Sequence, residues 1–309
     1  MKPVVLLGPQ HVVSTAGRLL RELRAGGKVA LITAGWQERE SDDESLIGEL
    51  GVAAVNLTLH ARSEEVFAAD PELAAAYKER QQRLRILQDF YRVRLEHTED
   101  AGRVISLRQV DAGLLGEEQR ISLSLIRRLD HDHLERCRAV REAFESRYHP
   151  TERDAVGRHR RELAAILRSA AALVIAGGHV AVLLNRMRLF GLDDMLGRRP
   201  IVAWSAGAMV LTDKVVLFHD HPPNGKGVAE VLDAGLGLVP NLVVLPDPRR
   251  RLRLDDREST GRFARRFQPA ACVAMDNGAE IIYQSGRIAR AATIQRLSPT
   301  GAVEQEVRR

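Results

Sequence analysis

Short apolar runs alternate with amphipathic segments in the first sixty residues of the chain. Residues 4–7, 28–33 and 52–57 are almost continuously apolar, and segments 14–25 and 42–50 between them carry leucines at helical spacing. Buried strands that alternate with helices are typical of a parallel sheet covered on both faces. The opening of the chain therefore predicts a three-layer α/β fold.

Residues 62–150 break this alternation. Apolar side chains recur there at three-, four- and seven-residue spacing in two long segments, which predicts two amphipathic helices joined between Gly102 and Gly116. We interpret 62–150 as a helical hairpin inserted into a single α/β domain that spans residues 1–309. Two roles stay open for the hairpin: a cap over a functional site, or a contact in a homodimer.

Strands return after the hairpin. Residues 172–176, 215–218 and 241–245 are apolar, and residues 272–294 form short runs separated by Asn277-Gly278 and Ser285-Gly286. Asn-Gly and Ser-Gly pairs between such runs are typical of hairpin turns. We expect the last strands to form an antiparallel edge of the sheet.

A serine follows one of the buried strands directly. Residues 201–204 are apolar, Ser205 comes next, and an apolar, helix-compatible segment that contains Met209, Val210 and Leu211 follows. In a nucleophile elbow the serine sits on a sharp strand-to-helix turn, and its neighbours two positions away must be small. Ala203 and Gly207 meet this requirement, so Ser205 is the candidate nucleophile.

Four segments together resemble one family. They are Val174-Ile175-Ala176-Gly177-Gly178, Trp204-Ser205-Ala206-Gly207-Ala208, Gly235-Leu236-Gly237-Leu238 and Ala274-Met275-Asp276. Their order is similar to that in serine peptidases of the dipeptidase E and cyanophycinase type, which have the class I glutamine amidotransferase-like, flavodoxin-like fold. The resemblance covers residues 1–60 and 165–295 and implies a three-layer sandwich with a mostly parallel sheet. A glutamine amidotransferase would carry cysteine at position 205.

The resemblance also implies roles for individual residues. Ser205 would be the nucleophile, the N–H groups of Gly178 and Ala206 would form the oxyanion hole, and Gly177 would border the substrate. Glycine at 178 has no side chain to block a bound carbonyl. His179 is a further candidate for the substrate pocket.

The family's catalytic histidine is not matched. It would follow the strand at 241–245, where this chain has Asp247, with Arg249 and Arg251 just beyond. An aspartate with an ordinary pKa near 4 is a poor base for a serine hydroxyl. The arginines could hold a substrate carboxylate, which suits the acidic or Asp-containing peptides that the resemblance implies. Solvated arginines are the alternative.

Another histidine could replace the missing one. His219 and His221 occupy a loop that we expect near the carboxyl ends of the strands, where α/β proteins form their sites. Asp220 lies where the acidic member of the triad would fall, with Glu230 as a substitute. We expect one of these histidines to act as base, or the activity to be lost.

Composition excludes several classes of protein. The net charge of +5 and the pI near 9.5 invite a nucleic-acid interpretation, but only 4% of residues are aromatic and no binding motif is present. Two cysteines without a Cys-x-x-Cys pair argue against a zinc site, and no apolar run is long enough to span a membrane. We expect a cytoplasmic protein without metal or cofactor.

The sequence thus favours a serine hydrolase that cleaves a small peptide or amide through an acyl-enzyme on Ser205. The first alternative is a catalytically impaired relative that binds an anionic or peptide ligand in the same pocket. A scaffold role for the arginine-rich hairpin is the second. A histidine within hydrogen-bond reach of Ser205 would favour the hydrolase.

Overall fold

The computed structural model describes residues 2–12, 14–196, 199–218 and 227–308, with the backbone alone for residues 307 and 308. The strands, in chain order, are β1 (Val4–Leu7), β2 (Val29–Ile32), β3 (Ala54–Asn56), β4 (Leu173–Ile175), β5 (Ile201–Trp204), β6 (Lys214–Leu217), β7 (Glu230–Ala234), β8 (Leu242–Pro246), β9 (Ala271–Met275), β10 (Glu280–Gln284), β11 (Arg287–Leu297) and β12 (Val303–Arg308).

Ten α-helices lie within these described ranges. They are α1 (Ala16–Glu22), α2 (Glu44–Leu50), α3 (Leu59–Ala69), α4 (Pro71–Ser106), α5 (Ala112–Tyr148), α6 (Asp154–Ser169), α7 (Val180–Leu189), α8 (Ala206–Val210), α9 (Pro248–Arg251) and α10 (Arg257–Phe267).

The main sheet has the order β3-β2-β4-β5-β1-β10-β11-β9-β8. The first five strands of this order are parallel. Their alternating residues face two cores: Val5 and Leu7 pack with α1 and α2, whereas Val4 and Leu6 belong to the larger core on the other face. This is the predicted three-layer α/β sandwich with a mostly parallel sheet, and the fold class is confirmed.

The C-terminal antiparallel strands β10 and β11 lie inside the main sheet, whereas the sequence predicted them at its edge. β10 pairs with β1 and with β11, and β11 also pairs with β9, so these strands join the parallel block to the β9–β8 pair inside the sheet. The edges of this order are β3 and β8. The turns at 277–278 and 285–286 correctly indicated hairpins, but a turn carries no information about which strand a hairpin joins.

Helices α4 and α5 form the hairpin between β3 and β4. Asp70 accepts a hydrogen bond from the N–H of Leu73 and so caps α4. The predicted joint between Gly102 and Gly116 is too wide, because both glycines lie inside helices and only residues 107–111 connect them. Asp111 ends the connection by accepting hydrogen bonds from two N–H groups of the first turn of α5.

Candidate active site

Ser205 lies at a sharp turn between β5 and α8. Its backbone angles are φ 50° and ψ −120°, a conformation that costs a side-chain-bearing residue about 1–3 kcal/mol. Its N–H donates to Leu7 O of the neighbouring strand (3.2 Å). A Cβ on Gly207 would lie 2.3 Å from Ile175 O, which explains why the position two residues after the serine must be glycine.

Two backbone segments flank the serine. Ala206 is the first residue of α8, so its N–H has no acceptor within the helix. Gly178 follows β4, the strand beside β5, with φ at 122°, and its Cα packs against Gly35. A Cβ on Gly177 would lie 3.0 Å from the Cβ of Ser205. Small residues therefore keep the space beside the Ser205 hydroxyl open.

Two cavities meet at Ser205. One, of about 340 Å³, is lined by Trp36, Asp42 and Glu49 among others. The second, of about 330 Å³, extends past Phe218 to Arg251. Gly178 lines both cavities together with Ser205, so a bound chain could cross the serine from one cavity to the other.

His219, His221 and the predicted acid Asp220 lie outside the described residues. Within the described ranges, no side chain forms a hydrogen bond with Ser205 Oγ. The identity of the base therefore stays a prediction.

His11 is a histidine that the sequence analysis did not single out. It is exposed in the turn after β1 and lines both cavities that meet at Ser205. It also lines a third cavity with Asp247 and Asp276. The turn is held by Gln10, whose Oε1 accepts from the N–H groups of Thr15 (2.7 Å) and Ala16 (3.1 Å). Only the strand order could have indicated that His11 lies near Ser205, because β1 and β5 are parallel neighbours whose carboxyl ends lie side by side.

Asp247 ends strand β8 and faces the second cavity. It adopts the left-handed conformation (φ 55°), and its N–H donates to Met275 O. Arg250 forms a long ion pair with it, with Nε 4.0 Å from Oδ2 of Asp247. The position that the resemblance assigns to the catalytic histidine thus carries a carboxylate that borders the serine cavity.

The two predicted substrate arginines differ in their surroundings. Arg251 lines the second cavity, with its guanidinium carbon 5.7 Å from the centre of the Phe218 ring. Arg249 is largely exposed and pairs with Asp276 at 2.8 Å. Arg251 is therefore the better placed of the two to meet a ligand beside Ser205.

Two other sequence-predicted residues have different surroundings. The ring of His179 caps α7, where Nδ1 accepts from the N–H of Val182 (3.3 Å), and it lines a cavity of about 490 Å³ between α4 and α7. Glu230 accepts hydrogen bonds from Gln88 and Arg92 of the hairpin. Neither residue lines the two cavities at Ser205, and the pocket role of His179 and the substitute role of Glu230 stay predictions.

The described residues contain no group of three or more His, Cys, Asp and Glu side chains arranged to hold a metal ion. None of the described helices combines the length and apolarity needed to cross a membrane.

The fold is a three-layer α/β sandwich with a mostly parallel sheet, and Ser205 adopts a strained conformation at the carboxyl end of β5. The model of peptidase family S51 matches residues 128–290, which is more than half of the chain. The chain belongs to this family, and the resemblance drawn from its motifs is confirmed.

Two solved structures are similar over nearly the whole chain. A peptidase from an acI-B1 Actinobacterium is 12% identical with a TM-score of 0.49, and the match covers 99% of this chain and 94% of that one. A putative peptidase E protein from Listeria monocytogenes EGD-e is also 12% identical, with a TM-score of 0.45 and coverage of 96% and 100%. None of the curated proteins compared with the chain matches it.

Proposed function

We propose that this protein is a serine peptidase or amidase in which Ser205 forms an acyl-enzyme with a short peptide. The observation that carries the proposal is the strained turn at Ser205, which joins two cavities and begins a helix. Strain at a non-glycine residue is retained where function requires a fixed orientation.

In the first step, Ser205 Oγ bonds to the carbonyl carbon of the scissile amide while a histidine takes the hydroxyl proton. The negative charge that develops on the carbonyl oxygen is stabilised by the N–H groups of Ala206 and Gly178. The histidine then gives its proton to the amine nitrogen, the C–N bond breaks, and the amine leaves. The histidine then takes a proton from a water molecule, whose oxygen bonds to the ester carbon. The proton passes to Ser205 Oγ as the C–O bond to the serine breaks and the acid product leaves.

The base comes from one of two loops. His219 and His221 are the candidates from sequence, and His11 is the candidate that borders both serine cavities. Asp247 borders the second of these cavities with His11, so its carboxylate is available to orient the imidazole of His11. This arrangement would let the chain act without a histidine at position 247.

The walls of the two cavities suit a short peptide with a charge at each end. Asp42 and Glu49 line one cavity, which favours an ammonium group, and Arg251 lines the other, which favours a carboxylate. This distribution supports a short peptide with free termini, and Asp247 shares the wall of the second cavity with Arg251. The preference for acidic or Asp-containing peptides is proposed from the family resemblance alone.

Two observations favour a second candidate, a catalytically impaired member that binds the same ligands. No described side chain is hydrogen-bonded to Ser205 Oγ, and Asp247 occupies the histidine position. A binder would need the cavities but not an activated serine.

A screen of short peptides tests the proposal. Purified protein is incubated with Asp-containing dipeptides and tripeptides and with matched Asn-containing peptides, and cleavage is followed by mass spectrometry. Cleavage by the wild type that disappears in Ser205→Ala, with unchanged circular dichroism, supports the peptidase. Peptides that raise the melting temperature of both proteins without being cleaved support the binder instead.

A further inference from the structure

Helices α4 and α5 border a cavity of about 350 Å³, which we call the hairpin groove. Within the described part of the chain, it shares no lining residue with the two cavities at Ser205. Its volume is in the range of small-molecule sites. Among the described residues its wall contains one acidic side chain, Glu79, and four arginines, which are Arg80, Arg83, Arg136 and Arg147. This excess of positive charge favours an anion as the ligand.

The four arginines come from one side of each helix. Arg80 and Arg83 are three residues apart on α4, so they are neighbours on its surface. Arg136 and Arg147 are eleven residues apart on α5, which is about three turns and roughly 16 Å along the helix axis. The positive charges are thus spread along the hairpin groove. This distribution suits a ligand with several linked anionic groups better than a single small anion.

Arg80 is a buried cation without a close acidic partner. Its side chain is 4% exposed, and its guanidinium carbon lies over the rings of Tyr77 (4.2 Å) and Phe144 (4.5 Å). Its polar contacts with other described residues are long, at 3.5 Å from Nη2 to Asn185 Oδ1 and 4.0 Å from Nη1 to Glu145 Oε1. Its Nε has no hydrogen-bond partner among them, and burial lowers the pKa of the guanidinium. Buried charges are normally paired, so an anion in the adjoining hairpin groove would supply the missing counter-charge.

The other three arginines of the hairpin groove are exposed. None of the hydrogen bonds or ion pairs among the described residues involves the side chains of Arg83, Arg136 or Arg147. Elsewhere on the hairpin an arginine finds a carboxylate, as Arg92 does with Glu230. Three unpaired guanidinium groups at one cavity are therefore available to a ligand.

We propose that the hairpin groove binds a small molecule with two or more linked phosphoryl groups. Guanidinium groups match phosphate oxygens with two parallel hydrogen bonds, and several arginines can share one chain of phosphoryl groups. The ring of Phe144 lies beneath Arg80 in the wall of the hairpin groove, and apolar surface of this kind limits the screening of the charges by water. This binding does not involve Ser205 and is independent of the peptidase activity.

Calorimetric titration with sodium tripolyphosphate tests the proposal on the full chain. In metal-free buffer with about 0.15 M salt, where exposed charges are largely screened, the wild type should show one saturable site. Arg83→Ala/Arg136→Ala should weaken the Kd at least about 100-fold, because each charge-assisted contact contributes a factor of about ten or more. Arg108→Ala/Arg120→Ala removes the same charge from exposed hairpin positions outside the hairpin groove, and its Kd should stay within about twofold of the wild type.

Two further titrations test the buried cation and the ligand class. Arg80→Met should weaken the binding of tripolyphosphate at least about tenfold. Citrate, which carries its negative charges on carboxylates, should bind the wild type at least about tenfold more weakly than tripolyphosphate. A wild type without saturable binding, equal weakening in the two double variants, unchanged binding in Arg80→Met, or citrate bound as tightly as tripolyphosphate overturns the proposal.

A chemical measurement locates the site without any variant. Phenylglyoxal modifies exposed arginines, and peptide mass spectrometry gives the modification rate of each one. Tripolyphosphate should slow the modification of Arg83, Arg136 and Arg147 and leave the rates of Arg108 and Arg120 unchanged. Equal protection of all five arginines, or protection of none, contradicts binding in the hairpin groove.

Discussion

Arg266 of α10 and Asp130 of α5 form a buried two-point ion pair. Nε lies 2.8 Å from Oδ2 and Nη2 lies 2.6 Å from Oδ1, and each residue is only 5% exposed. The hydroxyl of Tyr91 on α4 donates to the same carboxylate (2.7 Å) and accepts from Arg266 (2.9 Å). This cluster joins both helices of the hairpin to the α/β body.

Breaking this pair should destabilise the protein strongly. Arg266→Met leaves a buried carboxylate without its counter-charge, so we expect the free energy of unfolding to fall by about 3–5 kcal/mol. The double variant Arg266→Met/Asp130→Leu should lose less than the single variant, because no charge is left unpaired. Urea unfolding measures both, and a double variant less stable than the single one would contradict this explanation.

The glycine beside the nucleophile should tolerate no side chain. A Cβ on Gly178 would lie 2.5 Å from Gly35 O, and its φ of 122° is unfavourable for other residues. We expect Gly178→Ala to lower the free energy of unfolding by about 3 kcal/mol or more and to abolish activity. Gly26→Ala is the matched control, since a Cβ there has nothing within 4 Å. Equal stability of the two variants in urea would show that the contact with Gly35 does not constrain the site.

The general base can be identified by comparing three histidine variants. The rate of labelling by a fluorophosphonate should fall about 100-fold or more in the variant that lacks the base, and remain near the wild-type rate in the other two. We expect His11→Ala to be the slow one, because His11 borders both serine cavities. If His219→Ala or His221→Ala is slow and His11→Ala is not, the base comes from the loop that the sequence indicated. His131→Ala, an exposed change on the hairpin, serves as the control.

His133 makes stability depend on pH. Its ring is stacked on Tyr91 with centroids 4.3 Å apart, and burial lowers its pKa from the ordinary value. Below pH about 6.5 the unfolded chain takes up a proton that the folded chain still excludes, so stability falls as pH decreases until the lower folded-state pKa is passed. His133→Phe should flatten this part of the profile, whereas Gly26→Ala, which removes no titrating group, should leave its slope unchanged. An unaltered slope in His133→Phe, measured by urea unfolding between pH 5 and 7, would contradict this assignment.

Sequence patterns were sufficient for the parallel strands and for the hairpin, because both depend on local periodicity. The strand before Ser205 and the small residues around the serine were likewise readable from a few neighbouring positions. Helix α10 was not predicted, since its apolar residues are few and Arg266 is buried against Asp130 and Tyr91, which are distant in the sequence. Contacts between residues that are far apart along the chain produce no periodic pattern in the sequence.

The candidate site shows the same limit. His11 lies in an exposed turn with no motif around it, and only the pairing of β1 with β5 brings that turn to the serine. His179 follows the Gly-Gly pair in sequence, yet its ring turns away to cap α7. Proximity along the chain therefore does not decide which histidines border the serine cavities.

The central claim is that Ser205 is an activated nucleophile. Intact-protein mass after treatment with a fluorophosphonate tests it most directly, with wild type and Ser205→Ala compared under the same conditions. We predict one adduct per chain in the wild type and none in Ser205→Ala. An unlabelled wild type, or equal labelling of both proteins, would contradict the claim.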